Sequence, residues 1–432
     1  MDVRNGNPAG SYARRVVDDE LDELLGGLPA IALEGAKGVG KTGTAAERAN
    51  TVLRFDSAAD RTLFAAEPVL ILDRPRPVLL DEWQLLPESW DVVRRAVDAG
   101  AAPGTFLLTG SAIPAGTTTH SGAGRIVSIR LRPMTLSERG VETPTVSLRS
   151  LLSGTRAPVA GSTAVGLVRY TDEIVASGFP GLRSLTGRAL RAQLDGYVSR
   201  IVERELQENG RVVRNPAALR RWLAAYAAAS STTASYETIR DAATGGEGEK
   251  PSKRATIPYR DALERLFVVE PVPAWLPRGA RLNRLSSAPK HQLVDPALAA
   301  ALLGADQGAL LEGRPASPAV PRDGVLLGSL FESLVTLSVR VYAQAAEARV
   351  GHLRTHSGQR EIDLIVERRD GRVVAIETKL TRAPSDDDVR HLRWLQRELG
   401  DNLLDAVVVT TGSDAYRRPD GIAVVPAALL GP

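Results

Sequence analysis

The stretch Ala30-Ile31-Ala32-Leu33-Glu34, followed by Gly35-Ala36-Lys37-Gly38-Val39-Gly40-Lys41-Thr42, decides the fold. A short, mostly apolar run of strand length feeds straight into the pattern G-x-x-x-x-G-K-T. The alanine-, glutamate- and arginine-rich segment 45–50 then reads as a helix. Strand, glycine-rich loop and helix in that order make a phosphate-binding loop. The glycines let the backbone curl until successive N–H groups converge on a β-phosphate. Lys41 is placed to reach the β- and γ-phosphates, Thr42 to offer its hydroxyl to Mg²⁺, and the helix N-terminus adds its positive end. All eight residues Gly35, Ala36, Lys37, Gly38, Val39, Gly40, Lys41 and Thr42 are therefore expected around a nucleotide. The chain holds only six lysines, so chance rarely places one at the fixed position of this pattern.

Downstream, residues 52–55 read as a strand, 58–65 as a helix, and Pro77 to Gln84 as an apolar strand that ends in Asp81-Glu82. Such a strand buries its apolar residues and projects carboxylates from its C-terminal end. Asp81 is expected to hold Mg²⁺ and Glu82 to polarise the attacking water. Residues 90–99 read as a helix and 106–111 as the next strand. At its end Ser111, with Thr109 as the other candidate, is placed to bond the lytic water or the γ-phosphate. Arg125 opens a strand over 124–131. It is read equally as an arginine finger, in cis or on a neighbouring subunit, and as a surface ion-pair arginine.

Taken together, Glu34-Gly35 to Gly40-Lys41-Thr42, Leu80-Asp81-Glu82-Trp83-Gln84, Leu108-Thr109-Gly110-Ser111, and Gly124-Arg125 with Pro133-x-x-Leu136-Ser137-Glu138 resemble one family. It comprises prokaryotic AAA-like ATP-binding proteins joined to a C-terminal domain of unknown function. Ser177-Gly178-Phe179-Pro180-Gly181-Leu182 resembles that family's Gly-Gly-Phe-Pro lid turn, with Ser177 in place of the first glycine. The resemblance, and no base-specificity motif in the residues themselves, implies ATP rather than GTP as the nucleotide.

In the middle of the chain, 185–208 has long helical periodicity, 154–164 reads as a loop, and 216–229 and 235–243 read as helices. Residues 245–250 read as a flexible break. Residues 258–267 read as a third helix with Pro258 in its first turn, and 268–272 as a short strand. This order suggests a winged-helix subdomain, with Lys250, Lys253, Arg254, Arg260 and Arg265 as DNA contacts or as a solvated basic face.

The C-terminal part opens with Pro289-Lys290-His291-Gln292-Leu293-Val294-Asp295-Pro296-Ala297. A helix is expected over 328–342, strands over 349–355, 360–367, 372–380 and 404–410, and a helix over 386–399 capped by Ser385. Turn signals stand at Ser357-Gly358 and Asp370-Gly371. Period-2 geometry puts Glu377 and Lys379 on one face of a strand. Asp363, with Glu361 two residues behind it, can face the same space from the preceding strand. Asp363, Glu377-x-Lys379 and the helical Glu332 resemble the PD-(D/E)xK nuclease core. That resemblance implies Mg²⁺ or Mn²⁺ on Asp363, Glu377 and Glu332, with Lys379 activating water.

Length and composition set the outer limits. At 432 residues the chain exceeds one ordinary core, and the expected division is 1–145 (AAA-like ATPase core), 146–285 (helical lid and winged helix) and 286–432 (nuclease-like domain). The fold class is α/β. No cysteine is present, which excludes disulfides and thiolate metal sites. The histidines at 120, 291, 352, 356 and 391 make no convincing metal motif. No apolar run is expected to approach the ~20 residues of a membrane span, and no signal-peptide pattern is expected at the N-terminus. A cytoplasmic location without membrane contact is expected. Net charge is only +3, and the preponderance of arginine over lysine carries little weight for nucleic-acid binding. Two functions are carried forward. One is an ATPase whose nucleotide cycle controls a metal-dependent nuclease acting on DNA. The other is a nucleotide switch of a defence or toxin–antitoxin kind whose nuclease-like domain only binds a partner protein or nucleic acid. Homo-oligomerisation is left open.

Overall fold

The computed structural model describes residues 12–112, 122–205, 215–244, 253–277, 288–313, 325–355 and 358–432. His120, the far end of the helix expected over 185–208, the break at 245–250 with Lys250, His356 and Ser357 lie outside the described residues. The side chains of Lys253 and Arg254 do as well. The chain forms two compact units. One comprises Met1–Gly35, Gly40–Ser111 and Gly116–Leu131, and the other Ala36–Val39, Ala112–Ala115 and Arg132–Pro432.

The first unit contains α1 (Val17–Leu25), β1 (Ala30–Glu34), α2 (Lys41–Ala46), β2 (Thr51–Arg54), α3 (Ala58–Ala66), β3 (Val78–Asp81), α4 (Glu88–Asp98), β4 (Phe106–Gly110) and β5 (Val127–Arg130). Its sheet has the order β2-β3-β4-β1-β5, and every pairing is parallel. All strand C-termini therefore meet at one edge. Parallel strands covered on both faces read as unbroken apolar runs, and Ile31, Leu33, Leu79, Leu80, Leu107 and Leu108 are accordingly all buried. The helix expected over 45–50 starts earlier, at Lys41. Gly40 takes a left-handed φ of 100°, open to glycine without penalty, and turns the loop directly into α2.

The second unit carries β6 (Val146–Ser147), α5 (Leu148–Leu152), β7 (Gly161–Ser162), α6 (Leu167–Val175), α7 (Gly187–Arg200), α8 (Pro216–Ala228), α9 (Tyr236–Ala242), α10 (Lys253–Arg265), α11 (Pro296–Leu302), α12 (Gln307–Leu311), α13 (Leu326–Ala345), β8 (Arg349–Arg354), β9 (Glu361–Glu367), β10 (Val373–Lys379), α14 (Arg390–Leu399), β11 (Leu403–Thr410), β12 (Asp414–Arg417), β13 (Ala423–Pro426) and β14 (Leu430–Gly431). Its main sheet has the order β7-β12-β13-β11-β10-β9-β8. β8, β9 and β10 form an antiparallel meander, and α14 then crosses over so that β11 lies parallel to β10. Leu392 and Leu395 of α14 pack into a core with Ile362, Ile365 and Ala375.

In addition, β6 pairs with β14 and β7 with β12, so segments on either side of the expected division at 285 build the same sheets. Three expectations are corrected. Pro258 lies inside α10 rather than in its first turn, because the helix begins at Lys253. The helix expected from 386 begins at Arg390, because Ser385 and Asp388 close a turn of their own (Ser385 Oγ donates to Asp388 Oδ2 at 2.7 Å). Finally, α13 is long and apolar enough to cross a membrane by length and composition, with a mean hydropathy of 1.3 over its most apolar window. That window is 89% buried inside the protein, as befits a core helix.

Candidate nucleotide site and carboxylate cluster

The loop after β1 brings Lys41 to the first position of α2, where it is buried, and its Nζ donates to the Gly35 carbonyl at 2.9 Å. The next residue, Thr42, donates its hydroxyl to Asp81 Oδ1 at 2.7 Å. The sequence patterns at 35–42 and 77–84 thus meet at one edge of the sheet. Thr109, fully buried at the end of β4, joins the two carboxylate residues. Its hydroxyl donates to Asp81 Oδ1 and accepts from the Glu82 N–H at 3.2 Å. Glu82 itself takes φ 55°, a left-handed conformation that L-residues rarely adopt and that clusters at functional sites. Its Oε2 accepts from the Ser111 hydroxyl at 2.9 Å, and Gln84 Nε2 donates both to that carboxylate and to Ser111 Oγ at 3.1 Å. Gly110 is needed for this packing, since a Cβ there would stand 2.7 Å from Trp83 Nε1 and 3.2 Å from Gln84 Oε1.

Burial pushes the Asp81 carboxyl above its usual range, while the hydroxyls of Thr109 and Thr42 pull it back. A hydroxyl and a carboxylate side by side beneath the loop fit an octahedral Mg²⁺ that keeps most of its waters. Thr42 and Asp81 would hold that ion, and when bound it neutralises phosphate charge. Arg125 lies elsewhere. It precedes β5, at the sheet edge where strands begin, and its Nε donates to Asp98 at the end of α4 at 2.8 Å. In a parallel sheet that edge is opposite the loop, so the finger reading is corrected within one chain, and the ion-pair reading describes Arg125 as it stands.

In the second unit, Glu361 and Asp363 on β9, Glu377 and Lys379 on β10 and Glu332 on α13 line one cavity of about 830 Å³ together with Arg354, Thr378 and His391. The strand register explains its opening. The β9–β10 ladder stops at Leu364 opposite Ile376. Beyond it, Asp363 Oδ2 accepts from both the amide and the hydroxyl of Thr378, at 2.9 Å each. A side chain thus replaces the backbone acceptor. Lys379 Nζ lies 3.5 Å from Glu377.

Sequence reasoning gave no role to Lys290. Its backbone is clamped to Val272 in both directions (2.9 and 2.8 Å), and its ammonium is completely buried. Nζ lies 2.8 Å from Glu332, 2.9 Å from Glu361 and 3.0 Å from Asp363. Burial opposes its charge, yet Asp363, Glu332 and Glu361 hold it well above the usual lysine value. Burial and Asp363 push Glu332 up to about 8, and the same two causes raise Glu377. Among the described residues, no group of three or more histidine, aspartate and glutamate side chains is arranged to hold a metal ion. Glu332, Asp363 and Glu377, the residues expected to hold a metal, are thus brought to one cavity, with the Lys290 ammonium bonded to two of them.

Sequence reasoning also passed over Asp295. Its Oδ1 accepts from Ala297 N at 2.8 Å, capping α11, while Oδ2 accepts from Ser177 Oγ at 2.9 Å and Gly178 N at 2.7 Å. Ser177 has φ 66°, which accounts for a glycine suiting that position in the resembled turn. Gly178 cannot be larger, because a Cβ there would stand 2.7 Å from both Arg139 Nη2 and the Met134 carbonyl.

Comparison with known proteins agrees with the first unit and leaves the second open. A family model described as an AAA domain matches residues 28–139. Models for two domains of unknown function, DUF8612 and DUF4143, match residues 168–309 and 327–430. Uncharacterized proteins of Mycobacterium tuberculosis and Mycobacterium bovis are each 27% identical over 432 residues, spanning 96% of this chain and 83% of the relative. Among solved structures, the Walker-type ATPase PABY2304 of Pyrococcus abyssi is similar over 69% of this chain and 99% of its own. Its identity is 17% and the TM-score 0.41, too low to add to the fold assignment. The AAA-domain match, on residues that build the loop and the Asp81–Glu82 strand end, supports ATP binding and hydrolysis.

Proposed function

We propose that this chain is an ATP-driven switch in which Mg-ATP occupies the loop at 35–42 and its hydrolysis alters what the second unit binds. The observation that carries this reading is the continuous bonded path Thr42–Asp81–Thr109–Glu82–Ser111, which holds a cation-binding carboxylate and a water-polarising carboxylate under one phosphate loop. Lys41 binds the β- and γ-phosphates, Thr42 and Asp81 hold Mg²⁺, and Glu82 orients the attacking water while Ser111 fixes its carboxylate. DNA is the favoured partner, with a partner protein as the alternative. The order α8, α9, α10, then antiparallel bridges Val269–Leu293 and Val272–Lys290, supports a winged-helix reading. Amide hydrogen exchange over residues 132–432, compared between ATP- and ADP-bound protein, tests the switch. Different protection is expected, and identical protection in the two states sinks the reading.

The nuclease reading keeps one observation in its favour: Asp363, Glu377 and Lys379 share one cavity. A panel of linear duplex, single-stranded and branched DNA with ATP and Mg²⁺ or Mn²⁺ separates the two readings. Intact DNA is expected; cleavage that disappears in Lys379→Ala reverses the choice.

A further inference from the structure

We infer that Lys290 is a resident counter-ion that closes the carboxylate cluster of the second unit to divalent metals. Three carboxylates on two different elements, α13 and β9, converge on one point, and the side chain at that point belongs to the chain itself. Carboxylates drawn so close repel one another, and a cation placed between them relieves that repulsion. A divalent ion would serve, held by oxygens at ~2.0–2.6 Å. Here an ammonium serves instead, at hydrogen-bonding distance from an oxygen of each acid.

The placement is built rather than incidental. Lys290 is pinned by two backbone hydrogen bonds to Val272, so its side chain starts from a fixed point. Two further acceptor oxygens nearby are also used: Asp363 Oδ2 is taken by Thr378, and Glu361 Oε2 accepts from Arg354 Nη1 at 2.9 Å. For a metal to enter, the ammonium would have to leave a site in which it is fully buried and triply bonded. The cavity is therefore a polar recognition surface, three of whose acids already share a cation that belongs to the chain. Its ligand is met by Lys379, Arg354 and the Thr378 hydroxyl rather than by a bound cation.

The inference rests on the second unit acting as a binding module, so the test uses nucleotide-free protein in which the other metal position is disabled, Lys41→Ala/Asp81→Asn. Its outcome is then independent of any result with ATP. Mn²⁺ is titrated by calorimetry and by electron paramagnetic resonance. This background protein is expected to bind no Mn²⁺ at submillimolar concentration. Adding Lys290→Ser is expected to tighten Mn²⁺ binding by ~100-fold, to one ion per chain, because removing a positive charge from a carboxylate site raises its cation affinity. Adding Asp363→Asn as well removes that ion. One Mn²⁺ bound by the background protein and lost with Asp363→Asn overturns the inference. So does a folded Lys290→Ser protein that gains no Mn²⁺. Should Lys290→Ser fail to fold by circular dichroism, the background protein with and without Asp363→Asn still decides.

Discussion

Thr109 donates its hydroxyl to the Asp81 carboxylate while accepting the Glu82 amide, so one buried side chain at the end of β4 sets both acidic residues at the end of β3. Replacing it by valine keeps the shape and removes both bonds. Thr109→Val should cost ~1–3 kcal/mol of stability, the usual penalty for leaving a buried polar group short of a partner. The rate of ATP hydrolysis should fall more than ATP affinity does. Denaturant unfolding and steady-state hydrolysis measured on the same protein check both parts.

Lys41→Ala should remove most nucleotide affinity. The lysine makes charge-assisted hydrogen bonds to phosphate worth ~1.5–3 kcal/mol each, so a loss of roughly 10- to 150-fold per bond is expected. Calorimetric titration with ATP measures it, and unchanged affinity would remove Lys41 from the site.

Glu82→Gln should leave binding intact and lower hydrolysis by about 10²–10⁴-fold, the range for loss of a positioned general base. A variant that hydrolyses ATP at the wild-type rate assigns the water-orienting role elsewhere.

Stability in acid should depend on Glu173. Its carboxylate is buried with Arg139 at 3.1 Å and Arg183 at 2.9 Å. Burial opposes its charge, but Arg139 and then Arg183 hold it below the usual glutamate value. A depressed folded-state value means that the stabilisation is complete above the usual glutamate range. It is lost as pH falls through the lower, folded-state value. Glu173→Gln should therefore destabilise the protein by ~3–5 kcal/mol at neutral pH, since Arg139 is left buried without its partner, and should flatten the acid limb of a melting-temperature profile. An unchanged acid limb would show that Glu173 is not the group responsible.

Ser177 separates strain from bonding. Ser177→Ala keeps a side chain at φ 66° and loses the hydroxyl bonded to Asp295. Ser177→Gly loses the same bond but relieves a left-handed strain of roughly 1–2 kcal/mol. The glycine variant should be the more stable of the two by about that amount in urea unfolding; equal stabilities would mean that the turn is not strained.

How much of this was legible beforehand follows from how local each signal is. The first unit's strands announce themselves as apolar runs, and the phosphate loop fixes its own geometry through glycine positions, so Thr42 and Asp81 meet as expected. Asp363, Glu377 and Lys379 also share a face, since alternation along a strand is a two-residue rule. β6 and β7 have two residues each and no periodicity, and they exist only because β14 and β12 supply partners far along the chain. Lys290 and Asp295 stood within a quoted motif, but what they bond lies on elements distant in sequence, which no spacing reveals. The available hint was rarity: Lys290 is one of six lysines, and another of the six, Lys379, lines the cavity formed by the acids that Lys290 bonds.

Lys290 has one further consequence. A metal ion is recruited from a pool and can be stripped, exchanged or starved away, whereas a tethered ammonium is inherited with the sequence. The counter-charge at this cluster would not track the supply of magnesium or manganese, and chelators would leave it untouched. Any metal sensitivity of the protein should then trace back to the phosphate loop alone.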